Sequence, residues 1–202
     1  MKPFEPVVLA GQFVRLEPLA AGHVPGLVAA ATEDRATYNW TPVPEDEAAI
    51  RASVEFAARE RAEGRRLVFA TIDNALDRPV GSTSFLDPQR WPGAATSGLD
   101  SIEIGATWLA ASAQRTATNT EAKLLMLGYA FDTLGVHRVV LNTDARNERS
   151  RAAIARIGAT FEGVLHSFRY GVEGTPRDTA TFAVTARDWP DVRALREARA
   201  TR

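Results

Sequence analysis

The 202-residue chain contains no cysteine. That absence excludes disulfides, a cysteine nucleophile and thiolate metal or iron–sulfur sites. Histidine is nearly as scarce. His23, His137 and His166 lie far apart and never at i,i+4 spacing, so a zinc-binding helix is not expected. No apolar run approaches the ~18 residues of a membrane span. The N-terminal MKPFEPVVLAGQF places prolines and a glutamate where a secretory leader needs a continuous apolar stretch. A cytoplasmic protein without membrane attachment is expected. Neither charge sign dominates: 24 Lys+Arg against 25 Asp+Glu leave a formal net charge of −1, which argues against a nucleic-acid partner.

What is present is an ordinary globular mixture, 45% hydrophobic and 24% charged. A chain of this length buries roughly 70% of its unfolded surface and needs no metal or disulfide staple. Val7–Leu9 and Phe13–Pro18 flank Ala10-Gly11 as a short hairpin or an extended entry segment, and residues 22–31 suit a short helix. Acidic residues 45–47, after Pro42 and Pro44, suit the start of a helix running to about Glu63. Leu67–Ile72, Pro79–Phe85, Ser101–Leu109, His137–Thr143, Thr160–His166 and Asp178–Thr185 are expected strands. Residues 87–99, rich in Pro, Gly and Ser, form a long loop. Thr120–Leu134 carries Leu124, Leu127 and Phe131 at i, i+3 and i+7, and Asn147–Ile157 sets Ala153, Ile154 and Ile157 on one stripe. A last helix begins near Asp188-Trp189-Pro190, with Asp188 as N-cap. The alternation predicts one α/β (α+β) domain over 1–202 with a mixed sheet, the helix of about 188–202 being an appendage.

The segment richest in chemistry is strand–loop–helix: Ile102–Leu109, then the small-residue stretch 110–119, then the helix from Thr120. A tight loop opening a helix gathers backbone N–H groups at the positive helix end and suits phosphate or pyrophosphate. It has neither the Gly-Lys-Ser/Thr of a nucleotide P-loop nor G-x-G-x-x-G, and a plain connection would look the same.

The order of elements and five sequence blocks together resemble the GNAT superfamily of acetyl-CoA-dependent N-acetyltransferases. They come closest to its branch of ribosomal-protein N-terminal (alanine/serine) acetyltransferases. The blocks are LEPL at Leu16–Leu19, IEIGATWL at Ile102–Leu109, QRTATNTEAKLLML at Gln114–Leu127, NTDARNERSRAAIARIGATFEG at Asn142–Gly163 and RDTATFAVTARDW at Arg177–Trp189. The resemblance implies a mixed, mostly antiparallel sheet flanked by helices, acetyl-CoA as cosubstrate and no metal. It also implies an amine acceptor, either a peptide N-terminus or a small molecule, and a monomer or homodimer. The family's pyrophosphate loop, Q/R-x-x-G-x-G/A, reads here Gln114-Arg115-Thr116-Ala117-Thr118-Asn119, with both glycine positions altered. A positive φ at Ala117 would cost about 1 kcal/mol relative to glycine, whereas Asn119 tolerates that region better. The resemblance assigns the pyrophosphate to backbone of Arg115–Thr120, and the pantetheine arm to backbone of Trp108 and Leu109. The side chains of Gln114 and Arg115 join that site or form a solvated loop.

Making an amide from a thioester requires a neutral amine, a stabilised oxyanion and a proton for the departing thiolate. Strand alternation sets Glu103, Gly105, Thr107 and Leu109 on one face of their strand. Glu103 is then a general base, direct or through water, or a glutamate on a wet face. Asn147 is an N-cap and, by the resemblance, a contact for the CoA arm. Ser150 is a first-turn residue and, by the resemblance, the acid that protonates the thiolate. Relatives with a tyrosine seven residues after the asparagine use that instead, but here the position is Ile154. An α-amine with a pKa of about 7.8 needs less help from a base than a lysine at about 10.4. Tyr38, Trp40 and Trp91 are acceptor contacts, or for Tyr38 and Trp40 packing between helix and sheet. Arg177-Asp178 reads as an ion pair or register lock, and His137 as a strand-edge residue. The alternative to an enzyme is a catalytically weak or inactive CoA-binding sensor or scaffold of the same fold.

Overall fold

The computed structural model describes residues 4–94 and 98–200, with side chains through residue 194. Residues 95–97 of the expected 87–99 loop and 201–202 of the expected terminal helix lie outside the described residues. The strands are β1 (Leu9–Ala10), β2 (Val14–Pro18), β3 (Arg66–Asp73), β4 (Arg78–Gln89), β5 (Ser101–Leu109), β6 (Arg138–Asp144), β7 (Thr160–Tyr170) and β8 (Pro176–Thr185). The helices are α1 (Val24–Thr32), α2 (Glu47–Ala62), α3 (Ala117–Gly128), α4 (Glu148–Arg156) and α5 (Trp189–Ala200). The strands hydrogen-bond in the order β1-β2-β3-β4-β5-β6-β8-β7. The β5–β6 pair is parallel, and β1–β2, β2–β3, β3–β4, β6–β8 and β7–β8 are antiparallel. The sheet is therefore mixed and mostly antiparallel, as expected.

The chain folds into two compact units: Met1–Asp87 with Gly105–Leu125, and Pro88–Ile104 with Met126–Arg202. In the first, Asp46 caps α2 by accepting from Ala49 N–H at 2.8 Å, and Ile50 and Ala57 turn into the core. Val24, Leu27, Val43, Ile50, Val80 and Trp108 share one buried cluster, and Phe69 meets Phe85 edge-on at 5.9 Å. The Glu121 carboxylate of α3 accepts from the N–H groups of Gln12, Phe13 and Val14 at 2.6–2.8 Å, tying the helix to the turn before β2.

In the second unit, Val139 and Leu141 of β6 and Phe182 and Val184 of β8 are buried. Asn147 caps α4, its Oδ1 accepting from Ser150 N–H at 3.0 Å. Several details depart from the sequence expectations: β4 runs on to Gln89 and takes 87–89 of the expected loop, and β1 is Leu9–Ala10 rather than Val7–Leu9. Helix α3 starts at Ala117 rather than Thr120, and at Gly128 it passes into a wider π-turn over Tyr129–Thr133. In that turn Phe131 stacks on Trp189 and Asp132 accepts from the Trp189 indole at 2.8 Å. Strand β7 continues past His166 to Tyr170 through a bulge at Ser167 (φ 48°), held by Asp178, which pairs with His166 and accepts from Ser167 N–H at 2.9 Å. The carboxylate of Asp188 accepts from the Thr185 hydroxyl at 2.6 Å.

Candidate active site

Strand β5 supplies the frame. Its parallel ladder to β6 covers Ser101–Glu103 only, and among the described residues no further pair continues it along β5. Ala106 then takes φ 48°, breaking the alternation of faces expected from sequence. Trp108 and Leu109 both bury their side chains, in the cluster beside α1 and α2. Their backbone is set close to β4. Gly81 is the residue facing them, and a Cβ there would stand 2.2 Å from the Trp108 carbonyl oxygen and 2.9 Å from Leu109 Cα. Ala110 N–H donates to Val80 O at 2.7 Å.

The loop beyond β5 is braced by side chains. Ser112 donates through both N–H and Oγ to the Glu33 carboxylate, at 2.7 and 2.9 Å. Gln114 Nε2 donates to the Leu109 carbonyl and to Thr37 Oγ1, both at 3.0 Å, so its side chain is structural rather than a solvated loop residue. Thr116 Oγ1 donates to Ala113 O at 2.8 Å and accepts from Thr118 N–H at 3.2 Å. The residue with positive φ is Arg115 (φ 62°), not Ala117. Ala117, Thr118, Asn119 and Thr120 form the first turn of α3, where alanine is the better helix former and the altered glycines carry no left-handed strain. First-turn N–H groups have no intrahelical acceptor and sit at the positive end of the helix dipole. Arg115, Thr116 and Ala117 are exposed there. A cavity of about 270 Å³ adjoins the loop, lined among others by Gln12, Arg78, Ser112, Thr116 and Thr118.

Lys123, which the sequence pattern did not single out, lies buried on α3 with Nζ donating to Thr83 Oγ1 at 2.9 Å and Thr107 Oγ1 at 2.5 Å. Burial pulls its pKa down from 10.5 to about 7. A single lysine within the run Ala122–Leu127 was its only sequence signal. Tyr38 donates its hydroxyl to Ala30 O at 3.2 Å and meets the Trp108 ring edge-on at 6.2 Å. Burial raises its phenol pKa above the ordinary value, so it stays a neutral donor. Trp40 is half-buried.

In the second unit Glu103 is buried, not on a wet face. Its Oε2 accepts from Asn142 Nδ2 at 2.8 Å and from Arg169 Nη2 at 3.0 Å. Ser150 sits half-buried in the first turn of α4, and Ile154 is buried in the core. Trp91 stacks on His137 at 5.9 Å, and its N–H donates to Asp100 at 2.8 Å.

Beyond Glu103 no β6 partner of β5 is seen among the described residues, and β5 leads into the braced loop and the first turn of α3. Residues 14–160 match the acetyltransferase (GNAT) domain, and the chain belongs to that family. A GCN5-related N-acetyltransferase from Brucella melitensis is 30% identical over 98% of this chain and 88% of its own, with a TM-score of 0.81. A T. thermophilus protein assigned as an acetyltransferase is 34% identical over 97% of this chain and 98% of its own, with a TM-score of 0.80. RimJ of Mycobacterium smegmatis, solved in complex with CoA-disulfide, shares the fold at 23% identity, 98% and 97% coverage and a TM-score of 0.79. No functionally curated protein matches the sequence.

Proposed function

We propose that this chain is an acetyl-CoA-dependent N-acetyltransferase that moves the acetyl group directly onto a primary amine, with a protein N-terminal α-amine or a small-molecule amine as acceptor. The observation that carries this is the unpaired edge of β5 running into the braced loop at the start of α3. Backbone N–H groups of Arg115 to Thr120 suit the pyrophosphate, and backbone of Trp108 and Leu109 suits the amides of the pantetheine arm. Acetyl-CoA supplies the activated acyl group. Glu103, ionised beside Arg169, takes the proton from the acceptor amine, and Ser150 returns one to the departing sulfur. Asn147 spends its Oδ1 on the α4 cap and keeps its amide N–H₂ for the CoA arm. Tyr38, Trp40 and Trp91 are the acceptor contacts in this account.

The test is thermal unfolding with and without acetyl-CoA, beside thiol release against N-terminal peptides and small amines. At a hundred times its Kd, a ligand stabilises by about 2.7 kcal/mol, which raises Tm by roughly 5–10 °C for a chain of this size. Ser150→Ala lowers kcat by about tenfold to a hundredfold and leaves the thermal shift in place. No thermal shift refutes the assignment. A shift without thiol release for any amine makes the protein a CoA-binding sensor.

A further inference from the structure

A buried carboxylate is costly unless hydrogen-bonded donors or a counter-charge compensate it. Glu103 has both, and neither is near it in sequence: Asn142 comes from β6 and Arg169 from β7. Both of these donors fall on the same oxygen, Oε2. Asn142 reaches it at a cost, because its own Oδ1 is left buried without a partner. Turning the amide over would point that oxygen at the carboxylate, so the donor end is committed to Glu103. Arg169 is about one-third exposed, with its guanidinium also 5.3 Å over the Phe168 ring, and it brings a full positive charge to Glu103. The other charged groups on these strands pair among themselves. Asp144 of β6 bonds Arg146 at 3.0 Å and lies 3.8 Å from Arg177 of β8, and Arg138 pairs with Glu162.

We infer that Arg169 is a positioning residue for acetyl transfer: it touches neither amine nor thioester, but holds the Glu103 carboxylate ionised and oriented, with Asn142 as the second, neutral clamp. This rests on the assignment of Glu103 as the base. Losing Arg169 leaves a buried carboxylate with less compensation for its burial and a less defined orientation. The effect falls on kcat, not on binding of acetyl-CoA.

The experiment compares wild type, R169M, R169K, E103Q and the double variant R169M/E103Q. It measures kcat and both KM values, beside the acetyl-CoA thermal shift. R169M is expected to lower kcat by about tenfold or more, with KM for acetyl-CoA and the thermal shift unchanged. R169K should recover most of the rate, because it restores the charge. In the E103Q background R169M should add little further loss, the signature of two residues acting through one group. A loss in R169M that R169K does not recover, or losses that simply multiply in the double variant, overturns the inference. Full activity in E103Q instead removes Glu103 as the base and takes Arg169's role with it, an outcome distinct from the first two. If R169M does not fold, R169Q replaces it and is read against R169K in the same way.

Discussion

Lys123→Met is the perturbation whose consequence the structure sets out in most detail. The Lys123 amine is buried and donates to two threonine hydroxyls, and burial lowers its pKa from 10.5 to about 7. In the unfolded chain the amine regains its ordinary pKa, so between those values the unfolded state binds a proton that the folded state has released. Stability therefore rises with pH across that window, and the full cost is felt below about pH 7. The cost of burying the amine comes to roughly 4 kcal/mol at pH 7 and roughly 2 kcal/mol at pH 9. Methionine fills similar space without a charge. It strands neither hydroxyl, because Thr83 and Thr107 bond each other at 2.8 Å and Thr107 also reaches the Gly105 carbonyl at 3.3 Å. Urea unfolding of wild type and Lys123→Met at pH 7 and pH 9 isolates the titration from the packing change. Wild type should gain about 2 kcal/mol relative to the variant between the two pH values. A difference that stays constant with pH would show that the amine titrates as an ordinary lysine, and the account of its burial would fail.

Two further substitutions probe the frame around the loop. Gly81→Ala forces a Cβ against the backbone of Trp108 and Leu109, so β4 or β5 must move; it should cost more than about 2 kcal/mol and abolish the acetyl-CoA thermal shift, and a near-neutral variant with an intact shift would contradict the close approach. Arg115→Gly, at φ 62°, should leave stability unchanged or higher, whereas Ala117→Gly in the first turn of α3 should lower it by about 0.5–1 kcal/mol; urea midpoints in the reverse order would put the left-handed residue elsewhere.

Local chemistry made the elements legible. The acids before α2, the asparagine opening α4 and the apolar stripe of Leu124, Leu127 and Phe131 each act within a few residues, and each is seen where expected. Misjudged boundaries lie where a side-chain bond overrides the apolar pattern. Thr116 folds onto Ala113 and lets α3 begin at Ala117, and Asp178 reaches across to sustain β7 through the bulge at Ser167. The loop shows the same limit: a family pattern of glycines suggested strain at Ala117, but the backbone turns at Arg115, where the chain leaves the Gln114 anchor.

The candidate base shows why the remainder could not be read. Alternation along β5 places Glu103 on a face but says nothing of whether that face is wet. The answer depends on which strands lie beyond β6, and the sheet runs β6-β8-β7, out of chain order. Although β6 and β8 lie between β5 and β7 in that order, Arg169 reaches a carboxylate 66 residues earlier, and Asn142 meets it from 39 residues away. Spacing rules reach only a turn of helix or a neighbouring strand pair. A buried acid is thus visible in the sequence only as an acid. Whether it is a stable ion, and which way it points, is decided by a topology whose contacts are all non-local, and Arg169 is the residue through which that topology acts on the proposed chemistry.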